Sequence, residues 1–333
     1  MAYPFFIVGA QRSGSTLLRL ILNAHSEIAI PEEARFLTPL LDKKYLKEPF
    51  RGKRLEFLIE YISKVPHFKL WNYDSSFFLA KLRSKSEITL REFIEELYSS
   101  YCEYEGKKYW GDKSLFFNWI EVLYTLFPEA RFIHIVRDGR DVFNSWRKIE
   151  PSMNNVAVAA LDWSYKLSRI ERAFVKIPRS NSMTVRYEDL LSEPEKTVRA
   201  ICDFINISYE PQMLEFYKTS QYYIGKHHSK LIFGPLRKDN CYKWRKELTE
   251  REKNIFTFLA KKTLAKYQYD TNCPLRFSDL IFSLLYISYG IPKRLWQILS
   301  IRWILREAIE KGDNFDESKY KSLPVGLPPA KKK

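Results

Sequence analysis

The segment GAQRSGST at residues 9–16 constrains this chain more than any other, because it lies between the apolar run YPFFIV and the leucine-rich TLLRLILN. An apolar run, a glycine-bounded turn and leucines at helical spacing predict a buried strand over residues 3–8, a loop, and a helix over residues 16–23. Gly9 and Gly14 have the spacing of the phosphate-binding loop GxxxxGK[ST], but Ser15 stands where that motif has lysine. Backbone N–H groups and the positive end of the helix dipole still converge on such a loop, so an anion is its expected occupant. What is lost is the lysine that reaches the β- and γ-phosphates of a nucleoside triphosphate. Arg12, inside the loop, supplies positive charge from another direction. Gln11, Arg12, Ser13, Gly14, Ser15 and Thr16 are therefore the expected anion contacts.

A second unit of the same kind begins at Arg131, where FIHIV reads as a buried parallel strand, RDGRD as a turn and VFNSWRKI as a helix. A third strand is expected over residues 182–185, followed by one helix over EDLLSEPEKTVRAICDFINI. Between the first two units lies a helical region, with apolar periodicity over residues 51–66 and 90–104 and a further helix in SSFFLAKLRS. Strands alternating with helices imply an α/β fold: a P-loop-type parallel sheet flanked by helices, with a helical insertion at about 36–108. Later, TEREKNIFTFLAKKTLAKY reads as a helix opened by a capping box of Thr249 and Glu252. Residues 1–270 form the expected catalytic domain. Residues 271–333 are a C-terminal helical extension, read as two apolar segments hinged at IPKR (291–294) and a disordered Lys-rich tail.

Composition narrows the class of function. The formal charge of +15 calls for an anionic partner. Basic residues are spread along the chain and interleaved with acids, which argues against a nucleic-acid stripe. The four cysteines, Cys102, Cys202, Cys241 and Cys273, have neither CxxC nor zinc spacing and are expected to be reduced thiols. No apolar run reaches the length of a membrane span, and the N-terminus shows neither a basic leader nor a small-residue cleavage site. A cytoplasmic protein is the expectation. The exceptions to plain solubility are LIFSLLYISYGI and LWQILSIRWIL, which predict packing on the domain, a homodimer, or peripheral membrane contact through basic residues such as Lys293 and Arg294.

The loop RSGST resembles the 5′-phosphosulfate loop of the sulfotransferase superfamily, and HIVRDGRDVFNSW resembles its 3′-phosphate motif. The resemblance, nearest to the bacterial and tyrosylprotein branch, covers roughly residues 3–260. It implies 3′-phosphoadenosine 5′-phosphosulfate (PAPS) as donor, adenosine 3′,5′-bisphosphate (PAP) as product, no metal, and Arg137 and Ser145 as the 3′-phosphate contacts. A guanidinium fork and a hydroxyl about two helical turns further on suit one anion. NAHSEIAIPEEARFL resembles the segment carrying an acidic catalytic base and implies Glu33, with Glu32 as the alternative. YWGDKSLFFN implies Lys113 beside the transferring group. VRYEDLLSEPEKTVRAICDFI implies Tyr187 near the adenine. LRKDNCYKWRKEL loosely resembles a late basic loop, which carries over Arg237 and Lys238, although Asp239 stands where a glycine is expected.

The activity so implied is sulfuryl transfer to a hydroxyl of a small molecule, glycan, lipid or peptide, with Glu33, Lys113 and Arg12 as catalytic residues. A P-loop small-molecule kinase and a non-catalytic nucleotide-binding module are the alternatives. The kinase is weakened by the absent lysine. The sequence shows no convincing acidic magnesium site, Asp112 or Asp138 being the carboxylates that could be argued for one.

Overall fold

The computed structural model describes residues 3–41, 43–149, 154–218 and 230–310. Strand β1 (Phe5–Gly9) is apolar throughout and buried at every position, as a strand covered on both faces must be. Side-chain alternation sends Phe5 and Ile7 into one core, with Leu18, Ile21, Leu22 and Ile201. Phe6 and Val8 enter the core on the opposite face, with Phe36, Tyr98, Phe127 and Phe132. The remaining strands are β2 (Ile28–Ala29), β3 (Phe50–Arg51), β4 (Glu87–Ile88), β5 (Tyr109–Asp112), β6 (Arg131–Val136) and β7 (Ser182–Arg186). Five of them form a parallel sheet in the order β2-β5-β1-β6-β7, while β3 and β4 pair antiparallel in the helical insertion.

Helices form where periodicity predicts them: Ser15–Asn23 after β1, Leu90–Tyr104 in the insertion, Gly139–Arg147 after β6 and Glu250–Lys266 late in the chain. The capping box of Thr249 and Glu252 is present. The sheet contains a strand that the sequence does not signal, and two expectations are corrected. The segment YWGD is strand β5, slotted between β2 and β1, although its glycine and aspartate give no strand pattern. The helix expected over EDLLSEPEKTVRAICDFINI is two, Tyr187–Ser192 and Pro194–Ile205, because Pro194 disfavours helical backbone at Glu193, whose φ is −129° and ψ 62°. The two C-terminal segments are one 34-residue helix, Phe277–Glu310, which runs through Pro292. Proline removes one ladder hydrogen bond, and docking of this helix against Val156–Val175 holds the rest together. The tail beyond residue 310 lies outside the described residues.

All four cysteines are free thiols. Among the described residues no helix is long and apolar enough to cross a membrane.

Candidate active site

Topology gathers the candidate residues on one edge. Five groups follow the C-terminal ends of sheet strands: Glu33 after β2, Lys113 after β5, the glycine loop after β1, Arg137 after β6 and Tyr187 after β7. Open parallel sheets bind ligands along this edge. The registers extend the point, since Val136 pairs with Arg186, so that Arg137 and Tyr187 leave adjacent strands side by side.

The loop after β1 is built to receive an anion. Arg12 and Gly14 have left-handed backbone, with φ of 70° and 93°, which turns successive N–H groups toward one side. The helix Ser15–Asn23 that follows has no side-chain cap and no acidic residue in its first turn. Its leading N–H groups are left for a ligand. Position 14 must be glycine on a second count, because a Cβ there would lie 2.3 Å from Tyr187 Cδ2.

A cavity of about 350 Å³ opens beside this loop. Of the expected contacts, Arg12, Gly14, Ser15, Thr16, Arg137, Ser145, Tyr187 and Arg237 line it. Arg12 Nε donates to Ser145 Oγ at 3.1 Å, so the two phosphate motifs touch. Burial, reinforced by repulsion from Arg137, lowers the Arg12 guanidinium to about 10. Two buried arginines repelling one another favour a bound anion. Arg137 Nη2 donates to the Asn240 carbonyl at 2.9 Å and lies 3.5 Å from Asp141 Oδ2. Its Nε has no hydrogen-bond partner among the described residues. The Arg137 guanidinium stacks 4.4 Å from the Tyr187 ring centroid, and Asn240 Nδ2 donates to the Tyr187 hydroxyl at 2.7 Å.

Three expected contacts are not in that lining. Gln11 turns away and accepts from Lys166 Nζ at 2.6 Å. Ser13 is fully buried in the loop. Lys238 contributes its carbonyl to the Cys241 thiol. Arg237 reaches the cavity wall but also donates to Asp239, the residue standing in place of the expected glycine. Asp141, Asn144, Lys148, Asn240 and Lys243 line the cavity without having been expected. For Asn240 the only sequence signal was its place in a cation-dense loop.

Glu33 and Lys113 make their own pair, outside the cavity lining and toward the β2 edge of the sheet. Ala29 pairs with Trp110 at the end of the β2–β5 ladder, and the chain then leaves the sheet through Pro31 before Glu32 and Glu33, while Lys113 directly follows β5. The two neighbouring glutamates take different partners. Glu33 contacts both Lys113 Nζ and Arg35 Nε, whereas Glu32 turns inward to pair with buried Arg19. Burial raises the Glu33 carboxyl, but Arg35 and Lys113 outweigh it and hold the group well below the usual carboxylate range. Asp112 anchors this corner, accepting from Tyr98 at 2.7 Å and from Ser114 N and Oγ, while Ser114 Oγ in turn accepts from Ala34 N. Asp138 pairs with Arg140 and accepts its backbone N–H at 3.0 Å.

A family model described as "Sulfotransferase family" matches residues 4–211. Protein-tyrosine sulfotransferase A of Caenorhabditis elegans is 26% identical over 260 residues, covering 72% of this chain and 61% of that protein. Protein-tyrosine sulfotransferase 2 of Gallus gallus is 27% identical over 252 residues, covering 69% and 55%. The chain thus spans less than two thirds of the length of these relatives. Among solved structures, the sulfotransferase domain from the curacin biosynthetic pathway superposes with a TM-score of 0.55 at 17% identity, covering 81% of this chain and 99% of that one. The match at 17% identity shows a shared fold. The family match spans the loop, both glutamates, Lys113, Arg137 and Tyr187, more than half of the whole sequence, and by it this chain belongs to the sulfotransferase family.

Proposed function

We propose that this chain transfers a sulfuryl group from PAPS to an acceptor hydroxyl, with Glu33 as general base. The observation that carries the reading is the order of chemistry along the strand ends, with a cationic anion seat at one end and a carboxylate–ammonium pair on the other side of the glycine loop. The residues fit the donor. Arg137 has an unused Nε, Ser145 offers a hydroxyl, and together with Arg12 and the loop N–H groups they suit a ligand carrying phosphate at two positions. Tyr187 and Asn240 form the wall beside them. The donor supplies the activated sulfuryl group, and the protein supplies alignment and charge.

Glu33 is ionised at neutral pH, as a proton acceptor must be, but a depressed pKa makes it a weak base at rest. Lys113 is the adjustable partner. As its ammonium turns from Glu33 toward sulfuryl oxygens, Glu33 loses a positive neighbour and its proton affinity rises while the acceptor proton leaves. The relatives named as protein-tyrosine sulfotransferases support a tyrosine hydroxyl of a peptide as the first acceptor class to test.

Two measurements test the reading. By calorimetry, Arg137→Ala should weaken PAP by about tenfold or more while adenosine 5′-phosphosulfate loses little, a loss of about 1.4 kcal/mol per tenfold. Equal losses for both ligands would remove Arg137 from 3′-phosphate recognition. With radiolabelled donor and tyrosine peptides, Glu33→Gln should lower turnover by roughly 10²-fold with donor affinity intact.

A further inference from the structure

The helix Phe277–Glu310 has two unlike faces. On one, Phe282, Tyr286 and Ile287 pack against the core beneath. Asp279 accepts from Asn254 at 3.0 Å, and Asn155 donates to the Tyr286 carbonyl at 2.8 Å. Gly290 allows so close an approach that a Cβ there would lie 2.4 Å from Asn155 Nδ2. Arg294, also on this face, lies 3.4 Å from Asp162. Among the described residues nothing covers the opposite face. Ile281, Leu284, Leu285, Tyr289, Trp296 and Leu299 are 46–70% exposed, and they recur at the spacing of one helical stripe. Exposed apolar residues are ordinary when scattered singly, but a continuous stripe of this length marks a surface that something covers.

Charge identifies the cover. Between Asp279 and Glu307 the sequence contains no acidic residue, and the same interval carries Lys293, Arg302 and Arg306 besides Arg294, which is held by Asp162. We propose that this face docks on an anionic lipid surface, with the helix lying along the bilayer plane. The leucines and Ile281 enter the acyl boundary, Tyr289 and Trp296 sit at headgroup level, and exposed Lys293 meets lipid phosphates. Symmetric pairing with a second copy would set this acid-free face, with its exposed Lys293, against an identical one, like charge against like. Among the described residues no helix is long and apolar enough to cross a membrane, so the proposed contact runs along the surface. Its inward face also reaches the phosphate loop, because Arg294 contacts Asp162, Asp162 pairs with Lys166, and Lys166 donates to Gln11. Lipid contact on one face therefore bears on a helix whose other face is tied to the glycine loop.

The test is vesicle flotation of the full-length protein with phosphatidylcholine alone and with phosphatidylcholine containing phosphatidylglycerol. The protein should float with the anionic vesicles, not with the neutral ones, and less so at high salt. Trp296→Glu combined with Leu299→Glu should lower the bound fraction by about tenfold or more at an unchanged melting temperature, since both side chains are solvent-exposed. Leu284→Glu is the independent check one stretch away on the same stripe, and it should weaken binding in the same way. The proposal is overturned if the wild type fails to float with anionic vesicles or if the double variant floats as the wild type does. It is also overturned if the wild type sediments as a dimer that these substitutions convert to monomer, because a second copy then covers the face.

Discussion

Replacing Gly14 by alanine tests the site at the point where loop, helix and Tyr187 meet. The substitution has two separable costs. At φ 93° an alanine carries a backbone penalty of about 1–2 kcal/mol. Its Cβ would sit 2.3 Å from Tyr187 Cδ2, where carbon atoms normally rest about 3.5–4.0 Å apart, so the ring must retreat by more than an ångström. Retreat is obstructed. Tyr187 is 3% exposed, its hydroxyl is held by Asn240, and the Arg137 guanidinium stacks on its face. Overpacking of this kind costs about 1–3 kcal/mol, for a combined loss of about 3 kcal/mol. Urea unfolding would read that loss, and calorimetry should show PAP binding weakened, since the displaced ring carries Arg137 with it. In a Tyr187→Ala background the clash is gone, and Gly14→Ala should cost only the backbone penalty of about 1–2 kcal/mol. The reasoning fails if Gly14→Ala costs under about 1 kcal/mol with PAP affinity unchanged, or if its cost is the same in both backgrounds.

Glu32→Gln should behave as a structural variant, unlike Glu33→Gln. It leaves the buried Arg19 guanidinium without its carboxylate, for a stability loss of about 3 kcal/mol in urea unfolding, while the folded fraction keeps near-normal turnover. A stable but inactive Glu32→Gln would shift the base by one residue. His134, buried on β6, titrates at about 3 because burial, with a smaller contribution from Lys266, disfavours its charged form. The unfolded chain takes up the proton first, near pH 6.5, so the wild type loses about 1.4 kcal/mol per pH unit below that until the folded pKa is reached. His134→Leu removes this loss, and its stability relative to wild type should improve by about 3 kcal/mol between pH 7 and pH 4.5. Parallel pH dependences for the two proteins would show that the histidine is not buried neutral.

Local pattern was enough to read the glycine loop, the strand–helix units around it and the helix carrying Ser145, because short apolar runs, glycines and helical spacing report on their own neighbourhoods. The family resemblance added Glu33, Lys113, Arg137 and Tyr187 as single residues, with no account of how they meet. That account is tertiary. Strand β5 has no strand-like pattern and exists because β1 and β2 offer it hydrogen-bonding edges; its place in the sheet brings Lys113 to Glu33, while Glu32 pairs with Arg19. Asn240 reaches Tyr187 from 53 residues away, a pairing that no local signal encodes. The C-terminal helix shows the same division. Its sequence is apolar on every side, and only the packing of Tyr286 and Gly290 against Asn155 decides which stripe is core and which is left outside. Periodicity records that a residue is apolar, but which neighbour covers it depends on contacts between segments distant in sequence.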